Sequence, residues 1–190
     1  MPLHRRQSPF RHSCDRPLRR GFTLLEMMMV VSIIAMVAVI VLPMLTNNTR
    51  LRLQAAAAIV SSDIELAQVM TMAQPDEPII VRFDNANARY WLAHLDSPDT
   101  PISHPQTGEP YLVEFGTGRA RTVGSVILNA RLSLSGNNDL RFAPHGGLHN
   151  FSFTPAINIG IPQSDQIHWI RIRIDTNTGS MSEVFTSSPS

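Results

Sequence analysis

Lysine is absent from this chain of 190 residues, and all sixteen basic residues are arginine. No phosphate-binding Gly-x-x-x-x-Gly-Lys loop can therefore exist. A single cysteine, Cys14, has no partner for an intramolecular disulfide and excludes a cysteine-based zinc site. It also precedes the apolar run instead of closing it, which does not fit a lipid-anchored cysteine. Charge is scarce, at 16% of residues against a usual share of about 25%. There is no Gly-x-Ser-x-Gly nucleophile elbow. The acidic pairs Asp76/Glu77 and Asp96/Asp99 fall in turn-rich sequence and read as solvated charge. With no catalytic constellation in view, the chain is expected not to be an enzyme and to carry no cofactor and no metal.

The charge that is present is unevenly placed. Six arginines lie in residues 1–21, opposed there only by Asp15, whereas residues 22–190 hold ten arginines against fourteen acids. The basic character belongs to the N-terminal tail. A body of net negative charge lacks the concentrated basic patch that nucleic acid requires, so nucleic acid is not an expected partner.

The sharpest signal lies between residues 20 and 45. Gly21-Phe22-Thr23-Leu24-Leu25-Glu26 is followed by MMMVVSIIAMVAVIVLPML, in which only Ser32 interrupts the apolar residues up to Leu42. About 20 such residues can cross the ~30 Å hydrocarbon core. A cleaved secretory signal would have a shorter apolar run and a small-x-small site closely after it. Pro43-Met44-Leu45-Thr46 offers none, and Ala55-Ala56-Ala57 comes too late. A buried soluble helix is rarely so uniformly apolar. The arginines ahead of the span predict a cytoplasmic N-terminus and a translocated C-terminus. Glu26 stands out, because a carboxylate inside an apolar span costs about 2.5–3.5 kcal/mol. Either the membrane boundary lies just beyond it, or it meets a cation.

These residues resemble the class III signal of type IV prepilins and type II secretion pseudopilins. The resemblance implies cleavage between Gly21 and Phe22 by a prepilin peptidase, followed by N-methylation of Phe22. It implies that the apolar helix stays on the mature chain, first as an inner-membrane anchor and then as filament core. Glu26 would be the acid that neutralises the new Phe22 amine, and Pro43 falls where such helices commonly carry a kinking proline. The implied partners are prepilin peptidase, other pseudopilins or pilins, and the inner membrane, with the globular part in the periplasm.

Beyond Leu51, apolar or small residues recur at Ala55, Ile59, Ser62, Leu66, Val69 or Met70, and Ala73, a helical stripe. Arg50, Arg52, Asp63 and Glu65 are expected on other faces. Gln74-Pro75 should end the helix. One helix from 22 to 73, bent at Pro43, is expected.

The period then shortens to two residues. Strands are expected at 78–83, 89–95, 111–115, 123–128, 131–134, 140–142, 150–154, 167–174 and 181–185. The layout is α+β, with a long N-terminal transmembrane helix packed on antiparallel sheets, as in the pilin-like fold. The expected division is a leader at 1–21, a transmembrane and assembly helix at 22–45, a periplasmic half-helix at 46–76, and a β-rich domain at 77–190.

Within the prepilin class, this order resembles the GspH/FimT group of minor pseudopilins and pilins. Leu140 to Gly147 looks like its strand–glycine turn segment, and Ile172 to Met181 like its closing hairpin. The function this implies is a structural subunit of a type II secretion pseudopilus, or alternatively a FimT-like minor pilin. DNA-binding members of that kind can use a basic C-terminal region, and residues 181–190 contain no basic residue. His145 and His149 are separated by Gly146-Gly147, so a turn is expected there and not a zinc site. Asp175-x-Asn177-x-Gly179 resembles the start of a calcium loop but lacks the downstream glutamate. A tight turn is expected instead. Arg171 and Arg173 should share one solvated or salt-bridged strand face.

Overall fold

A computed structural model describes residues 22–46, 48–132, 138–149, 151, 153–163 and 166–189, with side chains undescribed at 40–46. The chain divides into two compact units, Met1–Thr46 and Asn47–Ser190.

The first unit contributes helix α1, Leu24–Thr46. Its apolar side chains from Leu24 to Val39 are almost all exposed. Ser32 does not interrupt the helix, because its hydroxyl donates to the Met28 carbonyl at 2.8 Å. Pro43 lies inside α1, so the helix continues past it. Among the described residues no helix is long and apolar enough to cross a membrane. The described side chains of α1 stop at Val39, short of the ~20 residues a span requires.

Helix α2 spans Thr49–Ala73. Where one helix is expected over 22–73, two are described, α1 ending at Thr46 and α2 beginning at Thr49, with residue 47 outside the described residues and Pro43 inside α1. Asn48 carries no side-chain cap. Helix α2 ends at Gln74, as the following proline dictates.

The buried face of α2 is Leu53, Ala56, Ala57, Val60, Asp63, Ile64, Ala67 and Thr71. The expected stripe is thus rotated: Ala55, Ile59, Leu66 and Met70 flank the core, while Ser62 and Val69 face outward. Four consecutive alanines supply little contrast between faces, so the pattern alone sets the rotation poorly. Their small side chains also let α2 lie closely on the strands it packs against, β1 (Ile79–Asp84), β6 (Ala156–Gln163) and β7 (Gln166–Ile174).

The remaining strands are β2 (Arg89–His94), β3 (Leu112–Glu114), β4 (Ile127–Arg131), β5 (Asp139–Arg141) and β8 (Met181–Thr186). Among the described residues the eight strands form two four-stranded antiparallel sheets of order β3-β2-β1-β5 and β4-β6-β7-β8. The inward faces of both sheets and α2 share one core, with Val81, Tyr90 and Leu92 from the first sheet and Ile157, Ile159, Ile170 and Ile172 from the second. The architecture is α+β, a helix packed on antiparallel sheets.

Three strand expectations need correction. Strands at 123–128 and 131–134 are replaced by β4 alone, with residues 133–134 outside the described residues. Gly124 takes a left-handed conformation, φ +72°, which breaks an extended run starting at Val123. The strand expected at 150–154 lies six residues later, as β6; residues 150 and 152 are outside the described residues, and 151, 153 and 154 belong to no strand. Pro155, Gly160 and Pro162 read as breakers, yet Gly160 is placed opposite Trp169 in the ladder. A Cβ there would sit 2.7 Å from the indole ring, so the glycine makes room for the tryptophan. This accounts for the apolar residues on both faces of β7. Ile170, Ile172 and Ile174 enter the core, while Trp169 is buried on the reverse face against Gly160.

Candidate functional site

The start of α1 is built by a local cap. Phe22 and Thr23 precede the helix. The Glu26 amide donates to the Thr23 hydroxyl at 3.1 Å, and the Met27 amide to the Thr23 carbonyl at 3.2 Å. Thr23 thus occupies the N-cap position, and Glu26 stands at the third helical position. This Thr-x-x-Glu signature was present in the sequence, and Thr23 was not singled out there. The Glu26 carboxylate in the first turn also opposes the positive end of the helix dipole. Phe22 is 78% exposed and Glu26 is exposed, so neither is buried by the described residues of its unit. Gly21 lies outside the described residues. Pro43 is placed only by its backbone, within α1.

A second polar constellation sits in the core of the other unit, and sequence reasoning missed it. Asp63, expected on an outward face of the helix, is 2% exposed. Its carboxylate accepts the Tyr90 hydroxyl at 2.6 Å and the Tyr111 hydroxyl at 2.8 Å. It also pairs with the Arg119 guanidinium. Arg119 comes from the short 3-10 turn Gly118–Ala120 and lies 5.1 Å over the Tyr111 ring. His104 stacks on Tyr111 with centroids 4.7 Å apart. Burial pushes the Tyr90 hydroxyl well above its ordinary pKa, raises that of Tyr111, and lowers that of the Arg119 guanidinium. A buried carboxylate is tolerated because three donors satisfy it. Chemically the group is a latch. It ties α2 to β2, to the approach to β3 and to the 3-10 turn. The Arg52 Nε–H assists from the same helix by donating to the Val123 carbonyl at 2.7 Å.

The two sequence patterns near the C-terminus meet at one side chain. The Gln68 amide donates to the Gly146 carbonyl at 2.6 Å and to the Thr178 carbonyl at 3.0 Å. The Leu148 amide donates to the Thr176 carbonyl at 2.8 Å, joining the glycine turn to the β7–β8 hairpin. His145 and His149 flank this turn. The Asp175 carboxylate accepts the Thr178 amide at 2.9 Å, the Thr178 hydroxyl at 3.0 Å and the Asn177 amide at 3.0 Å, which holds its pKa below the ordinary 3.8. It therefore caps an Asx turn closed by Gly179, φ +72°. Arg171 donates to Asn158 Oδ1 at 2.8 Å on the outer face of the second sheet. Arg82 on β1 is held by Asp139 through two bonds of 2.6 and 2.7 Å and by Asp99 at 2.5 Å.

The N-terminal segment matches a known family. Residues 16–42 match the family described as the prokaryotic N-terminal methylation motif. This segment is prepilin-like and supports the type IV pilin and pseudopilin class. The motif implies processing by prepilin peptidase and assembly with other pilins, and suggests an inner-membrane anchor. No curated protein and no solved structure matches the chain.

Proposed function

We propose that the chain is a minor pseudopilin of the GspH/FimT group, a structural and non-enzymatic subunit of a type II secretion pseudopilus. The observation that carries this reading is the methylation motif over residues 16–42, which includes the Gly21–Phe22 junction and Glu26. The peptidase cuts between Gly21 and Phe22 and methylates the Phe22 amine. The apolar run anchors the mature chain in the inner membrane, with the N-terminus cytoplasmic and the β-rich unit periplasmic. On assembly the apolar helices pack together, and Glu26 neutralises the Phe22 amine of its own or a neighbouring chain. Helix α2 on antiparallel sheets is compatible with a pilin-like body. The glycine turn and closing hairpin meeting at Gln68 support the GspH/FimT reading, because both patterns belong to one packed corner.

A FimT-like minor pilin of a type IV pilus is the second reading, since it shares the same processed N-terminus. Genes for neighbouring pseudopilins or pilins would separate the two. The decisive measurement is intact N-terminal mass spectrometry of membrane-extracted protein, with and without active prepilin peptidase. A mature chain beginning at N-methylated Phe22 supports the reading. A chain beginning at Met1, or cut after the apolar run, refutes it.

A further inference from the structure

One end of the globular unit combines cation, aromatic and apolar groups in an open groove. The first turn of α2, the start of β7 and the end of β8 meet there. One cavity of about 260 Å³ is lined by Arg50, His168, Trp169 and Phe185, among others. A second, of about 420 Å³, shares His168, Thr186 and Ser187 with it and adds Ile167. The Arg50 guanidinium lies 5.2 Å over the Phe185 ring and is itself exposed. Ile167 and Phe185, which line these cavities, are 40% and 41% exposed. No carboxylate is among the described residues lining either cavity. Thr49 fixes this end, its hydroxyl donating to Gln163 Oε1 at 2.8 Å.

We infer that this end docks on the anionic phosphate headgroups of the membrane that anchors the chain. Three features select that occupant. Arginine beside exposed aliphatic and aromatic side chains is the composition of a membrane-interface anchor, with the apolar parts at the acyl boundary and the cation at phosphate. Among the described lining residues the groove carries a cation and an imidazole and no acid, which complements a negative surface. The first turn of α2 lines the groove, and along the sequence α2 begins three residues after the apolar helix α1 ends. The inference rests on the membrane-anchored reading above. Docking would hold the subunit against the bilayer before assembly, and extraction into a filament would have to break it.

The test uses the full chain in lipid nanodiscs, in a Cys14→Ser background. Ile167→Cys carries an environment-sensitive fluorophore, and Thr107→Cys, in an exposed loop, carries the same label as control. Discs of phosphatidylglycerol are compared with discs of phosphatidylcholine. The expected result is a blue-shifted, brighter label at 167 in the anionic discs only, with the label at 107 unchanged. Arg50→Gln should weaken that contact about five-fold, and 0.5 M salt should reduce it similarly. Equal emission in both lipids, or indifference to Arg50→Gln, overturns the inference. So does a shift that follows the number of chains per disc, which would assign the groove to a second copy. Alkaline carbonate separates the two levels. If it strips the chain from the discs, the membrane anchor itself fails; if the chain stays and the label is unmoved, only the docking surface fails.

Discussion

Asp63→Ala is the substitution that most directly tests the packing of the globular unit. It removes a carboxylate that is 2% exposed and accepts two tyrosine hydroxyls, at 2.6 and 2.8 Å, besides the Arg119 pair. Breaking a buried pair by deleting one partner costs about 3–5 kcal/mol. Each stranded buried hydroxyl contributes about 1–3 kcal/mol, largely within that figure and not on top of it. Arg119 can turn to solvent, since its side chain is 41% exposed, so its loss adds little. A total of about 3–4 kcal/mol follows, or a fall in Tm of roughly 10 °C for a unit of this size. Asp63→Asn keeps the volume and one acceptor, and should cost about half as much. The assay is urea unfolding of the full chain in detergent, followed by tryptophan fluorescence. An Asp63→Ala midpoint equivalent to less than about 1 kcal/mol of destabilisation would refute the latch.

Alkali should loosen the same latch. Unfolded tyrosines ionise near 10.0, whereas burial keeps Tyr90 and Tyr111 protonated to higher pH in the folded chain. Their contribution is complete below pH 10 and is lost as pH rises above it, so the urea midpoint should hold up to about pH 10, fall beyond it, and fall less in Tyr90→Phe. Gly160→Ala places a Cβ 2.7 Å from the Trp169 ring and should destabilise by about 1–3 kcal/mol, read from the thermal midpoint; an unchanged midpoint would contradict the packing described. Glu26→Ala should abolish filament incorporation while leaving membrane insertion intact, as judged by fractionation and filament immunoblotting. Normal incorporation would remove the proposed role of Glu26.

The methylation motif was legible because its residues are contiguous. Gly21, Phe22 and Glu26 are read within one short stretch, and the helix that follows needs no tertiary partner to declare itself. Even there the local cap was overlooked, although Thr23 and Glu26 stand at capping-box spacing. The strands at 79–84, 89–94, 166–174 and 181–186 were also visible, because alternation and turn residues bound each of them. β6 was hidden by Gly160 and Pro162, whose place in a strand depends on what the neighbouring strand supplies.

By itself, then, the sequence determined the prepilin-like N-terminus, the α+β order and most strand positions, since these follow from short-range periodicity and a contiguous motif. Only the tertiary structure decided which face of α2 is buried and that Asp63 belongs to the core. The donors to that carboxylate lie 27, 48 and 56 residues away. No local pattern encodes such a meeting. An aspartate in an alanine-rich helix reads as solvated until the fold brings two tyrosines and an arginine to it, and a buried charge is stable only where such partners converge.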